Sequence, residues 1–340
     1  MQRRKFILSL VGGTALGWTG WKSKPYWSVQ NNNPHSAAQL MRVTQSTQAL
    51  GTQVKLTVYH PDADHATQAI KRAFAEIELV EQLMSIYRPH SQLSRLNRDG
   101  FLDNPHPYLL DILGTAQSLS WKTGGMFDVT VQPLYALHAA ASQAGMVPCS
   151  NDLSCVLKDV NWEGLEVTTD RIRLANSRMA ITLNGIAQGF ASDAVARVLR
   201  SQGIEHALID SGEIGSVGDH VEHRDWQIGI KHPRKPGTFL GLTHLDGRCL
   251  ATSGDYETRF GETFERHHLL DPHTGLSANE VSSVSVLAPN ATQADALSTA
   301  VFVLGIQKGR ELIQSIPGAD VLFVDKQGSL SHTEGFPITT

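Results

Sequence analysis

The sequence predicts an α+β protein, and three observations carry that reading. Strand-like runs come in pairs rather than alternating singly with helices. Long segments with apolar residues at helical spacing separate the pairs, and glycines close several of those segments. The 340 residues, 41% hydrophobic with 29 Gly and 14 Pro, suffice to bury a core as one large domain or two closely packed ones.

The elements follow in chain order. Arg3-Arg4-Lys5 precedes an apolar run from Phe6 to about Trp18. That is the layout of an export signal, and the paired arginines suit the twin-arginine route. The run is short for a membrane span, and no Cys follows it to carry a lipid. No clear small-x-small cleavage site follows either, so removal and retention as a membrane tether both stay open. The expected organisation is an export signal over 1–30, a polar linker over 31–45 and one domain over 46–335, located in the periplasm.

Within that domain, Thr52 to Tyr59 alternates, with Val54, Leu56 and Val58 on one face of a strand. Ile70, Phe74, Ile77, Leu83 and Tyr87 recur at helical spacing from about Ala66 to Tyr87. A second helix, Pro107 to Thr123, uses Leu109, Leu110, Leu113, Ala116 and Leu119 and stops at Gly124-Gly125. Residues 136–160 carry no clear period. Short strands at Arg171–Leu174 and Met179–Leu183 precede a helix from about Gln188 to Gln202, which Gly203 ends. Strand-like runs recur at His206–Ile209, Trp226–Ile230, Cys249–Thr252 and Val281–Leu287. A helix from Thr292 to about Leu304, a shorter one and a final strand near Asp320–Val324 complete the chain.

Composition narrows the function. The 29 Lys and Arg against 33 Asp and Glu give a formal charge of −4. With no basic stripe, a nucleic-acid partner is not expected. Three cysteines, Cys149, Cys155 and Cys249, are too few for a disulfide scaffold, and there is no zinc-type cluster. Cys149 and Cys155 read equally as a pair or as free thiols.

Several segments can carry chemistry. Asp295 and Thr299 lie four apart on a helix, so their oxygens share one face. A carboxylate and a hydroxyl are hard donors of the kind Mg²⁺ accepts, although such a pair is more often plain surface. Leu183-Asn184-Gly185-Ile186-Ala187-Gln188-Gly189-Phe190-Ala191 joins a strand to a helix through small residues. It can let a phosphate approach the backbone, or simply be a tight turn. Asp128 follows a glycine pair in Thr123-Gly124-Gly125-Met126-Phe127-Asp128, where it can meet an adenine edge or merely follow a helix stop. His267-His268 precedes Asp271-Pro272-His273-Thr274-Gly275, which is good turn chemistry in itself. His268 can serve there as acid, base or phosphate partner.

Taken together and in order, these segments resemble the ApbE family, the FAD:protein FMN transferases. The resemblance rests on Gly51-Thr52, Met84-Ser85-Ile86-Tyr87 with Ser94-Arg95-Leu96-Asn97, and the 123–128 and 185–191 segments. It continues through Trp226-Gln227-Ile228-Gly229-Ile230, Ala251-Thr252-Ser253-Gly254-Asp255-Tyr256, the His268 to Gly275 run and Ala294-Asp295-Ala296-Leu297-Ser298-Thr299-Ala300. It implies an ApbE-like, T-fold-like arrangement of mixed or antiparallel sheets with packed helices. It also implies a Mg²⁺-dependent transfer of FMN from FAD to a Ser or Thr hydroxyl of a partner protein, releasing AMP. Carried over by position, Asp295 and Thr299 would ligate Mg²⁺ with the Gly185 carbonyl, and Ser298 is a further donor. Leu50, Tyr87, Met126, Phe127, Asp128, Thr182 and Gln188 would line the FAD site, and His268 would lie beside the pyrophosphate or the acceptor. The implied partner is an acceptor flavoprotein, a periplasmic domain of a membrane-anchored redox protein.

The chain also departs from the family pattern. Members often carry Asp where this chain has Thr182, and Lys or Glu where it has Gln188, so two charges beside the phosphates are absent. Asp210-Ser211-Gly212-Glu213-Ile214 replaces a Gly-Gly-Asp stretch, and this variant with its twin-arginine signal looks like the NosX-like branch. The same site would also serve a non-catalytic FAD-binding assembly factor, or a Mg²⁺-dependent FAD pyrophosphatase in which water replaces the acceptor.

Overall fold

The computed structural model describes residues 40–222 and 224–339. The expected export signal and most of the expected linker therefore lie outside the described residues. The first strand, β1 (Met41–Ala49), begins inside the segment read as linker and pairs with β2 (Thr52–His60). Its side chains are mostly polar and at most half-buried, which is why alternation did not reveal it. The two strands join through Leu50 and Gly51, both at positive φ (54° and 75°), the combination a tight type I′ hairpin requires.

The chain continues through α1 (Ala63–Met84), α2 (Gln92–Asp99), β3 (Phe101–Asp103), α3 (Pro107–Lys122), α4 (Gln132–Gln143) and α5 (Ser150–Val156). Then come β4 (Leu165–Val167), β5 (Arg171–Leu174), α6 (Ala187–Ser201), β6 (His206–Asp210), β7 (Ile214–Val217), β8 (Gln227–Lys231) and β9 (Phe239–His244). Next are β10 (Cys249–Gly254), β11 (Val281–Ala288), α7 (Ala291–Gln314), β12 (Asp320–Asp325), β13 (Leu330–His332) and β14 (Ile338–Thr339). Eight strands form one sheet in the order β1-β2-β6-β7-β10-β11-β12-β13, and every neighbouring pair is antiparallel. The predicted α+β class with antiparallel sheets is the observed one.

Alternation along the strands explains the layers. Val54, Leu56 and Val58 of β2 pack with Ile70, Ala73 and Ile77 of α1 and Leu199 of α6. Val284 and Val286 of β11 and Val321 and Phe323 of β12 pack with Ala300, Val301 and Phe302 of α7. The intervening Leu250, Leu287 and Leu322 point to the opposite face, where Trp226, Ile230 and Phe336 cover them. Both faces of the central strands are thus dry, and β11 is buried along its whole length.

Four sequence expectations change. The first helix ends at Met84, three residues early, because the Ser85 carbonyl is taken by the hydroxyls of Ser91 and Ser94. Residues 136–160 are largely α4 and α5. Met179–Leu183 forms no strand. Ile181 instead exchanges two hydrogen bonds with the Asn97 side chain, and the Thr182 N–H donates to Val129. The strand near Asp320 is not the last, since β13 and β14 follow it. The expected break after Leu304 is present: α7 kinks at Gly305 (φ 79°), and the Glu280 carboxylate accepts the Ile306 N–H that restarts it. Cys149 and Cys155 are exposed free thiols. Among the described residues no helix is long and apolar enough to cross a membrane.

Candidate active site

The site forms where α6 and α7 meet the edge of β10. A Cβ at Gly189 would collide with the Ala291 carbonyl and stand 2.8 Å from the Asp295 Cβ, so only glycine lets the two helices approach this closely. Asp193 of α6 fixes the start of α7 by accepting from the N–H groups of Ala291 and Thr292 at 2.9 Å each. One turn further on stands Asp295, 4% exposed, whose Oδ2 accepts the Gly189 N–H at 2.9 Å.

Oxygen atoms gather around that carboxylate. A Cβ at Gly185 would fall 2.9 Å from the Thr299 hydroxyl, so the backbone of the 185–189 turn lies against Thr299. The Ser253 hydroxyl at the end of β10 is 2.8 Å from Ser298 Oγ and 3.3 Å from Thr299 Oγ1. Asp295, Thr299 and Gly185 are therefore brought together. Ser298 is buried and turns back to donate to the Asp295 carbonyl at 2.9 Å, so it braces Ser253 rather than facing open space. Burial pushes the Asp295 carboxyl up to about 7 against the Gly189 N–H, and the charge of Asp193 adds to the rise.

Glu213, in the turn between β6 and β7, was quoted in the sequence only as part of a variant stretch. The structure buries it to 6% exposure and leaves its Oε2 without a hydrogen bond. Burial raises this carboxyl well above the usual range, and Asp295 is the nearby charge that adds most. Among the described residues no cation is among the groups that act on either carboxylate. Among the described residues no group of three or more His, Cys, Asp or Glu side chains has metal-ligating geometry. The oxygens gathered here are instead the Asp295 carboxylate, the Ser253 and Thr299 hydroxyls and the backbone of the Gly185 turn, all hard donors. That set fits a Mg²⁺-type cation.

The other expected residues divide. Leu50 lies beside this centre, held in its left-handed conformation by Glu81, which accepts its N–H at 2.9 Å, and by Gln188, which donates to its carbonyl at 3.1 Å. Thr182 and Met126 are half-buried, and Tyr87 is 72% exposed with its ring free for a flat ligand. Phe127 departs from expectation: its ring is 4% exposed and belongs to the main core, so it supports the loop rather than forming a ligand wall. Asp128 is buried too. Its oxygens accept from Thr130 N (2.7 Å), Thr130 Oγ1 (2.6 Å) and Trp162 N (3.1 Å), and burial raises its pKa.

The two adjacent histidines adopt opposite roles. His267 is fully buried, donates from Nε2 to the Ala278 carbonyl and accepts the Leu269 N–H on Nδ1. His268 donates from Nδ1 to the Thr258 carbonyl at 3.2 Å, which leaves Nε2 as its lone-pair nitrogen. Burial lowers the pKa of His268, so the ring is neutral near pH 7 and able to take a proton.

Fold and site together define an α+β protein with an oxygen-lined centre built between two helices and a sheet edge. The particular family follows from comparison. The ApbE family model matches residues 50–323, and the chain belongs to that family. A protein of Treponema pallidum named FAD:protein FMN transferase is 31% identical over 84% of this chain and 85% of its own length. An Escherichia coli protein of the same name is 27% identical over 84% of each. Among solved structures, the ApbE protein of Thermotoga maritima superposes with a TM-score of 0.79 at 27% identity, covering 86% of this chain and 97% of that one. The apo flavinyl transferase ApbE of Pseudomonas stutzeri gives 0.76 at 26%, covering 87% and 96%.

Proposed function

We propose that this chain is a flavinyltransferase that moves FMN from FAD onto a Ser or Thr hydroxyl of a partner flavoprotein and releases AMP, with Mg²⁺ as cofactor. The observation that carries this reading is the Asp295 carboxylate, buried without a cation beside Thr299 and the Gly185 turn. FAD supplies the pyrophosphate such a cation would hold, and the named relatives supply the substrate class.

In the reaction the acceptor oxygen forms a bond to the FMN-side phosphorus, and the bond from that phosphorus to the AMP phosphate breaks. The hydroxyl proton goes to a base, and AMP leaves. Asp295, Thr299 and the Gly185 carbonyl would hold Mg²⁺, which when bound neutralises charge on the pyrophosphate and orients in-line displacement. Tyr87 offers a face to the flavin, while Leu50, Met126, Thr182 and Gln188 line the approach. Asp128 stands near the adenine. His268, neutral and with a free Nε2, takes the proton. The paired arginines of the N-terminus support export to the periplasm by the twin-arginine route, and the resemblance to the NosX-like branch supports an acceptor that is a periplasmic domain of a membrane-anchored redox protein.

The test uses the protein with FAD, Mg²⁺ and a candidate acceptor domain, read by intact mass. A gain of one FMN that EDTA abolishes is the expected result. AMP released without any gain on the acceptors tested would replace the transferase with a pyrophosphatase, and tightly bound FAD without AMP would replace it with a flavin carrier.

A further inference from the structure

The start of β7 and the turn before it place Glu213. Ile214 packs on the face covered by Trp226 and Phe336. Gly215 faces α6, since a Cβ there would stand 2.9 Å from the Ser192 hydroxyl. Glu213 stands in the turn immediately before Ile214 and is itself 6% exposed, so it is buried at the border of the layer that holds α6 and α7. Gly212 beside it touches the same helix start, because a Cβ at this position would lie 3.0 Å from Gln188 Nε2. Gln188 in turn precedes Gly189, whose N–H binds Asp295. On the other flank, β7 pairs with β10 through Ile214 and Leu250. Three residues beyond Leu250 is Ser253, whose hydroxyl meets Ser298 and Thr299. Glu213 is thus carried by the turn that leads into a strand bound to β10, next to the turn that holds Asp295.

We propose that Glu213 is a second carboxylate of the cation site formed by Asp295, Thr299 and Gly185, its free Oε2 facing the divalent ion. This inference rests on the metal reading given above. Two carboxylates and one divalent cation sum to zero charge, which a buried, cation-free pair otherwise lacks. Oxygen donors of this kind select Mg²⁺ or Mn²⁺ over softer metals. The oxygen that forms no hydrogen bond within the fold gains its partner when the ion enters.

The experiment is a Mn²⁺ titration of the EDTA-stripped full chain without FAD, followed by electron paramagnetic resonance, for wild type, Glu213→Gln and Asp295→Asn. Glu213→Gln is expected to weaken Mn²⁺ binding about 10- to 100-fold, while its melting temperature in EDTA equals or exceeds that of wild type. Glu213→Asp, which keeps the charge, is expected to retain more affinity than Gln and stands in if the Gln variant misfolds. Equal Mn²⁺ affinity in wild type and Glu213→Gln, with loss only in Asp295→Asn, would overturn this assignment and leave the Asp295 site standing. A wild type that binds no Mn²⁺ would overturn both.

Discussion

Two buried carboxylates on the same side of the sheet are treated in opposite ways. Asp255, fully buried just beyond β10, accepts both arms of Arg234 at 2.7 Å and the Lys326 ammonium at 2.6 Å. Arg234 also donates to Ser282 and lies 3.9 Å over the Phe264 ring. Asp295, on α7, is met by the backbone N–H groups of Gly189 and Gln188 and, among the described residues, by no cation. A carboxylate whose charge the fold itself neutralises is a brace: it ties the 255–268 loop, which carries His268, to β11 and the turn after β12. A carboxylate left uncompensated raises the energy of the empty fold, and the cation proposed for this site would lower it again. The difference separates architecture from function more sharply than burial, which the two share.

The largest effect should come from breaking the functional member. Asp295→Ala is expected to reduce flavin transfer at least about a thousandfold, equivalent to about 4 kcal/mol of lost transition-state stabilisation, with the fold retained. Transfer within tenfold of wild type, measured by intact mass, would remove Asp295 from the chemistry. The pH dependence follows with a definite sign. The folded pKa of Asp295 is about 7 against an ordinary value of 3.8, so between these two pH values the folded state holds a proton that the unfolded chain has released. In EDTA, stability should therefore fall as pH rises from about 4 to 7 and then level off. Asp295→Asn should remove that slope, and a difference in melting temperature that stays constant from pH 4.5 to 7.5 would contradict it.

Breaking the architectural member should do the reverse. Asp255→Ala leaves the half-buried Arg234 and Lys326 side by side without their anion and is expected to cost about 2–3 kcal/mol of stability, read as a shift in the urea midpoint. Mn²⁺ affinity of the folded fraction should be unchanged. A stable variant with lost metal binding would mean that the two carboxylates had been assigned the wrong way round.

The sequence made part of this contrast legible. Asp295 and Thr299 stand four apart in a strongly periodic helix, so their shared face can be read without coordinates, and the glycines at 185 and 189 mark the close approach that positions them. Glu213 was legible only as a residue, because no period links a strand-turn carboxylate to a helix more than eighty positions away. Asp255 looked like loop polarity for the same reason: Arg234 and Lys326 lie 21 and 71 residues distant. Phe127 is a different case: it sits among other residues expected to line the FAD site, and only packing shows that its own ring turns into the core. Met179–Leu183 has the composition of a strand, but its backbone is satisfied by Asn97, a partner that no local pattern announces.

His267 extends the contrast to a buried base. Burial lowers its pKa from 6.5 to about 4, and protonation would strip Nδ1 of the Leu269 N–H it accepts. A depressed pKa gives stability that is present above pH 6.5 and lost as pH falls through about 4. The loss is expected to reach roughly 3 kcal/mol over that window. Acid denaturation that is unchanged in a folded His267→Gln variant would assign the acid lability elsewhere.

The smallest predicted effect is the most direct test of why the active side is left uncompensated. Gln188 lies over Gly212, the neighbour of Glu213, so a lysine at this position would bring an ammonium to the turn that carries the free carboxylate oxygen. Gln188→Lys would give Glu213 the kind of partner Asp255 already has. The metal-free protein should gain about 1 kcal/mol in EDTA, where one buried ion pair replaces an unpaired charge and one neutral hydrogen bond to Leu50 is lost. Its Mn²⁺ affinity should fall, because the ion must then displace or tolerate the lysine. A variant no more stable than wild type in EDTA would show that Glu213 is already neutral in the empty fold, and the contrast with Asp255 would then rest on Asp295 alone.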